Sequence, residues 1–137
     1  MLRVQKQPVP LDYSKCDRAI TVYHLDASKQ VHRIVIEHAF LEQERAHDTK
    51  KTGGVEQSSF LLVIPQSSCV YLPPAQFAGE EGTYTLANLD KVLPGVGPVV
   101  GLDDWAAFIP ARVPELVVVS NVAVKYWQRQ ICHLEAE

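Results

Sequence analysis

The sequence is a succession of short segments rich in β-branched and aromatic residues, and glycine or proline interrupts them repeatedly. Nine prolines and seven glycines are distributed along 137 residues. Glycine and proline punctuate a chain with turns, and the segments between them have the residue types of strands. This pattern predicts seven or so short strands and at most two brief helices. The expected fold is therefore mainly β: a small antiparallel β-barrel or sandwich with one or two short helices and a long loop.

Length and charge narrow the class of protein. The chain carries 13 Lys and Arg against 16 Asp and Glu, a net charge of −3, which argues against nucleic-acid binding as the main activity. A chain of this length buries roughly two-thirds of its unfolded surface, enough for one core. No apolar run approaches the roughly 18–20 residues that span a bilayer, and the first ten residues lack the apolar segment of a signal peptide, so we expect a cytoplasmic protein. Residues 1–17 are expected to form an extended N-terminal arm and residues 18–137 a single β-rich domain.

A β-hairpin is predicted near the start of the domain. Residues 20–25 alternate two faces in the manner of a strand, residues 26–29 have turn chemistry, and residues 31–40 resume the β pattern. Residues 39–48 are good helix formers, so propensity also allows a helical turn there.

Further elements follow from the same patterns. Residues 60–64 are apolar on both faces and predict a central strand buried on two sides. Helical turns are predicted at residues 73–77 and 102–108, and turns or loop over residues 94–101. The other predicted strands are residues 70–72, 83–86, 90–93, 115–120 and 126–134.

No metal, cofactor or catalytic site is predicted. His32 and His38 share a face of the second strand, but six residues of strand separate them by about 20 Å, too far for one ion. Cys132 and His133 are neighbours whose side chains should point to opposite faces of a strand. Three isolated cysteines fit reduced thiols in the cytosol. No nucleophile motif such as G-x-S-x-G occurs.

The long loop is the candidate binding segment. Residues 49–59 hold lysine, glycine and polar residues between two apolar segments, and long excursions of this kind often bind a partner. The residues predicted to contact a partner are His47, Lys50, Lys51, Gly53 and Gly54.

The order of segments over about residues 18–134 resembles a family of small tailed-phage and prophage proteins. Their genes lie among the head and head-to-tail joining genes of phages that infect Firmicutes-type bacteria. The segments that carry the resemblance are, in order, residues 19–23, 33–36, the lysine- and glycine-containing loop, 63–65, 71–77, 82–86, 89–92, 118–121 and 126–128. After Asn121, where the family has glycine or charge, this chain has Val122-Ala123-Val124, which predicts that this edge packs on a neighbour.

The resemblance implies a non-enzymatic virion structural protein, a head-to-tail connector (adaptor or stopper) or a minor capsid subunit. Its partners would be copies of itself in a ring and portal, adaptor or tail proteins, with no membrane, and with DNA only as it passes through a channel. It would reside in the host cytoplasm during assembly and then in the virion. The barrel would act as a rigid body, and the loop and the arm as contacts that become ordered on assembly.

Two other classes remain open from the residues alone. One is a stand-alone β-barrel that binds a peptide or small ligand, for which a single concave pocket is expected. The other is a hydrolase or isomerase whose site has no sequence motif. Exposed apolar surface on two sides of the molecule would favour a ring subunit over either.

Overall fold

The computed structural model describes residues 12–45 and 58–137, and nearly all regular structure in these ranges is β. The elements are a 3₁₀ turn (Tyr13–Lys15), strands β1 (Arg18–Leu25), β2 (Val31–Arg45), β3 (Ser58–Pro65), β4 (Val70–Tyr71), β5 (Thr83–Tyr84) and β6 (Lys91–Pro94), helix α1 (Leu102–Trp105), and strands β7 (Val117–Val118), β8 (Val122–Trp127) and β9 (Gln130–Ala136). The predicted mainly β fold is confirmed. Within these ranges no helix is long and apolar enough to cross a bilayer.

Seven strands form one curled antiparallel sheet, a half-barrel, in the order β7-β6-β1-β2-β3-β9-β8. The small strands β4 and β5 pair in parallel beside it. The outermost strands β7 and β8 are consecutive in the chain, and the four residue steps from Val118 to Val122 span at most about 14 Å. The two ends of the sheet must therefore approach each other, which accounts for the curl.

The predicted first hairpin is confirmed. β1 and β2 pair from Leu25 and Val31 at the turn to Ile20 and Ile36 further along. β2 then continues as a strand, because Phe40 to Arg45 pair with β3. The helical alternative is therefore wrong for residues 39–45: strand pairing outweighs local propensity.

Two apolar clusters hold the fold. The inner face of the half-barrel contributes the main core, which includes Ile20, Val22, Ile36, Leu62, Ile64, Val92 and Leu134. On the outer face, Tyr23 packs with Val100, Phe108 and Leu116, which lie in the segment that connects β6 to β7 (residues 95–116). β3 lies between β2 and β9, as expected for a central strand.

Several element boundaries differ from the prediction. Helix α1 ends at Trp105. β7 comprises only Val117 and Val118, and the φ of 70° at Glu115 is not that of a strand residue. Ser58 and Ser59 belong to β3, because they pair with β2. Residues 73–77 form a single turn, as the sequence predicted, in which the Gln76 and Phe77 amides donate to the Pro73 carbonyl.

The largest correction concerns the C-terminus. The expected single strand over residues 126–134 is wrong, since β8 and β9 form a hairpin whose turn is Gln128-Arg129. Both turn residues have positive φ, 53° and 69°, the backbone of a two-residue turn in which Asn-Gly is preferred. Glutamine and arginine give no such signal in the sequence. Val122-Ala123-Val124 accordingly lies in a strand rather than a loop.

Replacing Gln128-Arg129 with Asn-Gly is expected to stabilise the protein by about 1–2 kcal/mol, because residues that tolerate positive φ relieve backbone strain. The measurement is the denaturant midpoint at unchanged m-value. Arg112→Gly is the control, since Arg112 is exposed and has no positive φ. If the double variant were no more stable than the parent, Gln128 and Arg129 would not be strained in this turn.

Candidate interaction surface

The predicted loop residues lie outside the described residues: His47, Lys50, Lys51, Gly53 and Gly54. The structure does place their anchors. Arg45 and Ser58, the described residues on either side of this segment, are paired at one end of β2 and β3.

Strand β8 is an open edge of the sheet. It pairs with β9 on one side, and no other strand of the described ranges pairs with its free side. Val122 and Val124 are half-buried, and the Tyr126 ring is 63% exposed. A six-residue edge with apolar side chains is a template for pairing with another chain.

A shallow groove of about 190 Å³ adjoins this edge on the outer face of β3, β9 and β8. Leu61, which is 41% exposed, supplies apolar surface. Lys125 and the carboxylates Glu135 and Glu137 also line the groove. Apolar surface bordered by charges of both signs is typical of a protein–protein contact. We call β8 and this groove the β8 surface.

Comparison with known proteins places the chain in a family. A model of a family of unknown function, DUF6751, matches residues 15–134. The chain belongs to this DUF6751 family. No curated protein and no solved structure matches it. In this DUF6751 member, the matched residues include the whole of β8 and most of the hairpin partner β9.

A second surface of the DUF6751 chain lies beside β2. Because β3 meets β2 only from Phe40 onward, the first half of β2 has no strand partner on that side among the described residues. A cleft of about 280 Å³ occupies this place, between residues 32–35 of β2 and residues 77–83. Glu80 and Glu81 are exposed at the cleft, and Phe77 also lines it. We call this region the β2 cleft.

Two histidine–carboxylate pairs lie near the β2 cleft. His24 and His32 are direct cross-strand partners with ring centroids 6.3 Å apart. His24 Nδ1 lies 2.8 Å from Asp90 Oδ2, and His32 Nε2 lies 2.8 Å from Asp26 Oδ2. The prediction that His32 and His38 share a face of the second strand is wrong, because the register with β1 shifts between Ile36 and Ala39, and His38 is exposed. The register of the predicted hairpin was the signal that could have paired His32 with His24.

The two carboxylates differ in their surroundings. Burial raises the pKa of Asp90, and the His24 hydrogen bond only partly opposes this. The amide of Gln30, followed by the His32 side chain, lowers the pKa of the Asp26 carboxyl. Across the described residues, no group of three or more His, Cys, Asp or Glu side chains is arranged to hold a metal ion.

Cys132 and His133 do not point apart as the sequence predicted. Their Sγ and Nδ1 atoms lie 3.5 Å from each other. The strand alternation fails because the register with β8 shifts at this point. Tyr13, the first residue of the 3₁₀ turn, contacts the same ring: its hydroxyl is 2.7 Å from His133 Nδ1. Residues 13–15 of the predicted arm thus form a turn at β9, and residues 1–11 lie outside the described ranges.

Proposed function

We propose that this protein is a non-enzymatic structural protein of tailed-phage or prophage virions, a head-to-tail connector (adaptor or stopper) or a minor capsid subunit. The open edge strand β8 carries the proposal, because it offers backbone groups and apolar side chains for association with another chain. The segment order that resembles phage head and joining proteins supports the same role. Assembly would occur in the host cytoplasm, and the partners are neighbouring copies and portal, adaptor or tail proteins.

A ring requires two different complementary patches on each subunit. The β8 surface supplies one of them, with the cations Lys125 and Arg129 exposed on the hairpin. The β2 cleft supplies the other, with Glu80 and Glu81 exposed. The two cations on the hairpin and the two glutamates at the cleft can pair, and each patch has an unpaired strand edge. Both features favour seating the β8–β9 hairpin of one copy against the β2 cleft of the next.

Charge reversal tests this contact. The variant Lys125→Glu/Arg129→Glu is expected to weaken self-association about tenfold or more, because like charges then face each other. Native mass spectrometry and light scattering measure the oligomer at matched concentration. Adding Glu80→Lys/Glu81→Lys to that variant should restore association. The control is Asp103→Lys/Asp104→Lys, a reversal of an exposed acidic pair on α1. If association depended only on the net charge of each variant, and not on which residues were reversed, the proposed contact between the β8 surface and the β2 cleft would be contradicted.

The biological role is tested by electron microscopy of particles from an induced lysogen that lacks this gene. Separate tails beside heads that have lost DNA are expected, and complementation with the charge-reversed chain should fail. Normal infectious particles would refute the virion role.

The β2 cleft also favours a second candidate, a stand-alone β-barrel module that binds a peptide or small ligand. Its volume of about 280 Å³ is close to the lower end of ligand pockets. This candidate predicts a monomer that is absent from purified particles and is stabilised by a ligand seated at Phe77. A ring-forming chain present in particles would exclude it.

A further inference from the structure

A β-bulge in β9 gives Cys132 an unusual position. Lys125 pairs with His133 and the next residue, Tyr126, pairs with Ile131, which leaves Cys132 as the extra residue. Bulges of this kind redirect side chains and are over-represented beside functional sites. Here the consequence is that the Cys132 thiol and the His133 ring, adjacent in sequence, come together with Sγ 3.5 Å from Nδ1.

Glu135 sets the orientation and tautomer of His133. The carboxylate Oε2 lies 2.9 Å from His133 Nε2, and an ionised carboxylate can only accept a hydrogen bond. The proton of the neutral ring is therefore on Nε2, and Nδ1 carries the lone pair that faces the thiol. The His133 side chain is only 3% exposed, so this orientation is fixed by packing. An acidic residue behind a histidine that faces a nucleophile is the arrangement found in thiol and hydroxyl catalysis.

Tyr13 competes for the same lone pair. Its hydroxyl donates to His133 Nδ1 at 2.7 Å, while the Cys132 thiol donates to the Lys125 carbonyl oxygen at 3.4 Å. Burial, and next the neighbouring Cys132, raise the pKa of Tyr13, so its hydroxyl keeps the proton. While the 3₁₀ turn is docked, Tyr13 thus occupies the base that Cys132 would use.

We infer that Cys132 is a reactive thiol served by His133 and Glu135, that it reacts with small disulfides, and that Tyr13 restrains it. The half-exposed position of Cys132 makes it accessible, whereas Cys16 and Cys69 are buried. This inference is independent of the proposed virion role.

The reaction is a thiol–disulfide exchange. His133 Nδ1 takes the Cys132 proton, and the thiolate attacks one sulfur of the disulfide. A new S–S bond forms to Cys132 as the original S–S bond breaks. The departing thiolate then takes the proton from His133 and leaves as a thiol. Glu135 stabilises the positive imidazolium while the proton resides there.

The test uses the purified full-length chain and hydroxyethyl disulfide, a small neutral disulfide. Peptide mapping by mass spectrometry measures the rate at each of the three cysteines at neutral pH. Tyr13→Phe is expected to accelerate modification of Cys132 about fivefold or more, because it frees Nδ1. Glu135→Gln is expected to slow it about fivefold, because an uncharged amide stabilises the imidazolium less.

Asp103→Asn is the control, since it removes an exposed carboxylate on helix α1, outside the group formed by Tyr13, Cys132, His133 and Glu135. Its rate should stay within about twofold of the parent. Cys16 and Cys69 report any loss of folding, because unfolding would expose them as well. A Cys132 rate that is unchanged in both Tyr13→Phe and Glu135→Gln would overturn the inference and leave simple exposure as the cause of any reaction.

Discussion

Gly97→Ala is expected to lower the free energy of unfolding by about 3 kcal/mol, one of the two largest single-residue effects we predict. A methyl group at this position would overlap the Tyr23 hydroxyl and lie 2.9 Å from Leu93 Cδ2. Tyr23 is fully buried and its hydroxyl donates to the Pro98 carbonyl at 2.7 Å, so the ring has no free direction in which to move.

Gly97 lies in a turn that several hydrogen bonds attach to the sheet, so a substitution there would affect more than one contact. Arg33 donates to the Gly97 carbonyl through Nε at 2.9 Å and Nη2 at 2.6 Å. The Gly97 amide donates to Thr21 Oγ1 at 2.8 Å, and this hydroxyl donates to the Gly95 carbonyl at 2.7 Å. Three side chains of β1 and β2 thus fasten this turn to the outer face of the sheet. A shift at Gly97 would disturb all of them.

Thermal unfolding measures the effect, which corresponds to a fall in Tm of roughly 10 °C for a chain of this size. Gly101→Ala is the control, since no atom lies within 4 Å of the added methyl. In the double variant Tyr23→Phe/Gly97→Ala the hydroxyl is gone, so the combined loss should be smaller than the sum of the two single losses. Equal stability of Gly97→Ala and Gly101→Ala would show that the packing around Tyr23 is looser than described.

The first half of the fold could be predicted because its signals are local. Residues 20–25 and 31–36 alternate their faces, up to the register shift between Ile36 and Ala39, and the turn between the two strands has Asp and Ser at positions that favour turning. The packing of the segment between β6 and β7 against the sheet could not be predicted in this way. Its partner Tyr23 lies 75 residues away from Pro98 in sequence, and no local pattern reports such a contact.

In the candidate sites too, local features could be predicted from the sequence and long-range ones could not. Val122-Ala123-Val124 was apolar enough to predict a packing surface, but its place at the sheet edge depends on the order of all seven strands. From the sequence alone, strand alternation predicts that Cys132 and His133 point to opposite faces. A bulge in β9 interrupts this alternation, and the bulge follows from the register between β8 and β9. That register depends on the turn at Gln128-Arg129, whose residue types do not predict a two-residue turn.

Asp90→Ala is expected to cost about 3–4 kcal/mol, because it leaves the buried His24 side chain and the part-buried Ala87 amide without their acceptor. His24 Nδ1 lies 2.8 Å from Asp90 Oδ2, and the Ala87 amide donates to the same oxygen at 2.8 Å. Asp90 and His24 are both buried. Asp90→Asn keeps an acceptor oxygen and should cost less. Asp103→Ala, at an exposed position of α1, should be neutral in the same urea titration.

The pH dependence that Asp90 contributes to stability has the opposite sign to that of an aspartate whose pKa is lowered in the folded state. Burial raises the pKa of Asp90 above 3.8, so over the interval above that value the folded state binds more protons than the unfolded state. The contribution of Asp90 to stability is therefore present below the unfolded pKa and is lost as the pH rises through the folded pKa. The stability of the parent relative to Asp90→Asn should fall as the pH rises above 3.8, measured by urea unfolding at each pH. A relative stability that rises over that interval would mean that His24 outweighs the burial of the carboxylate.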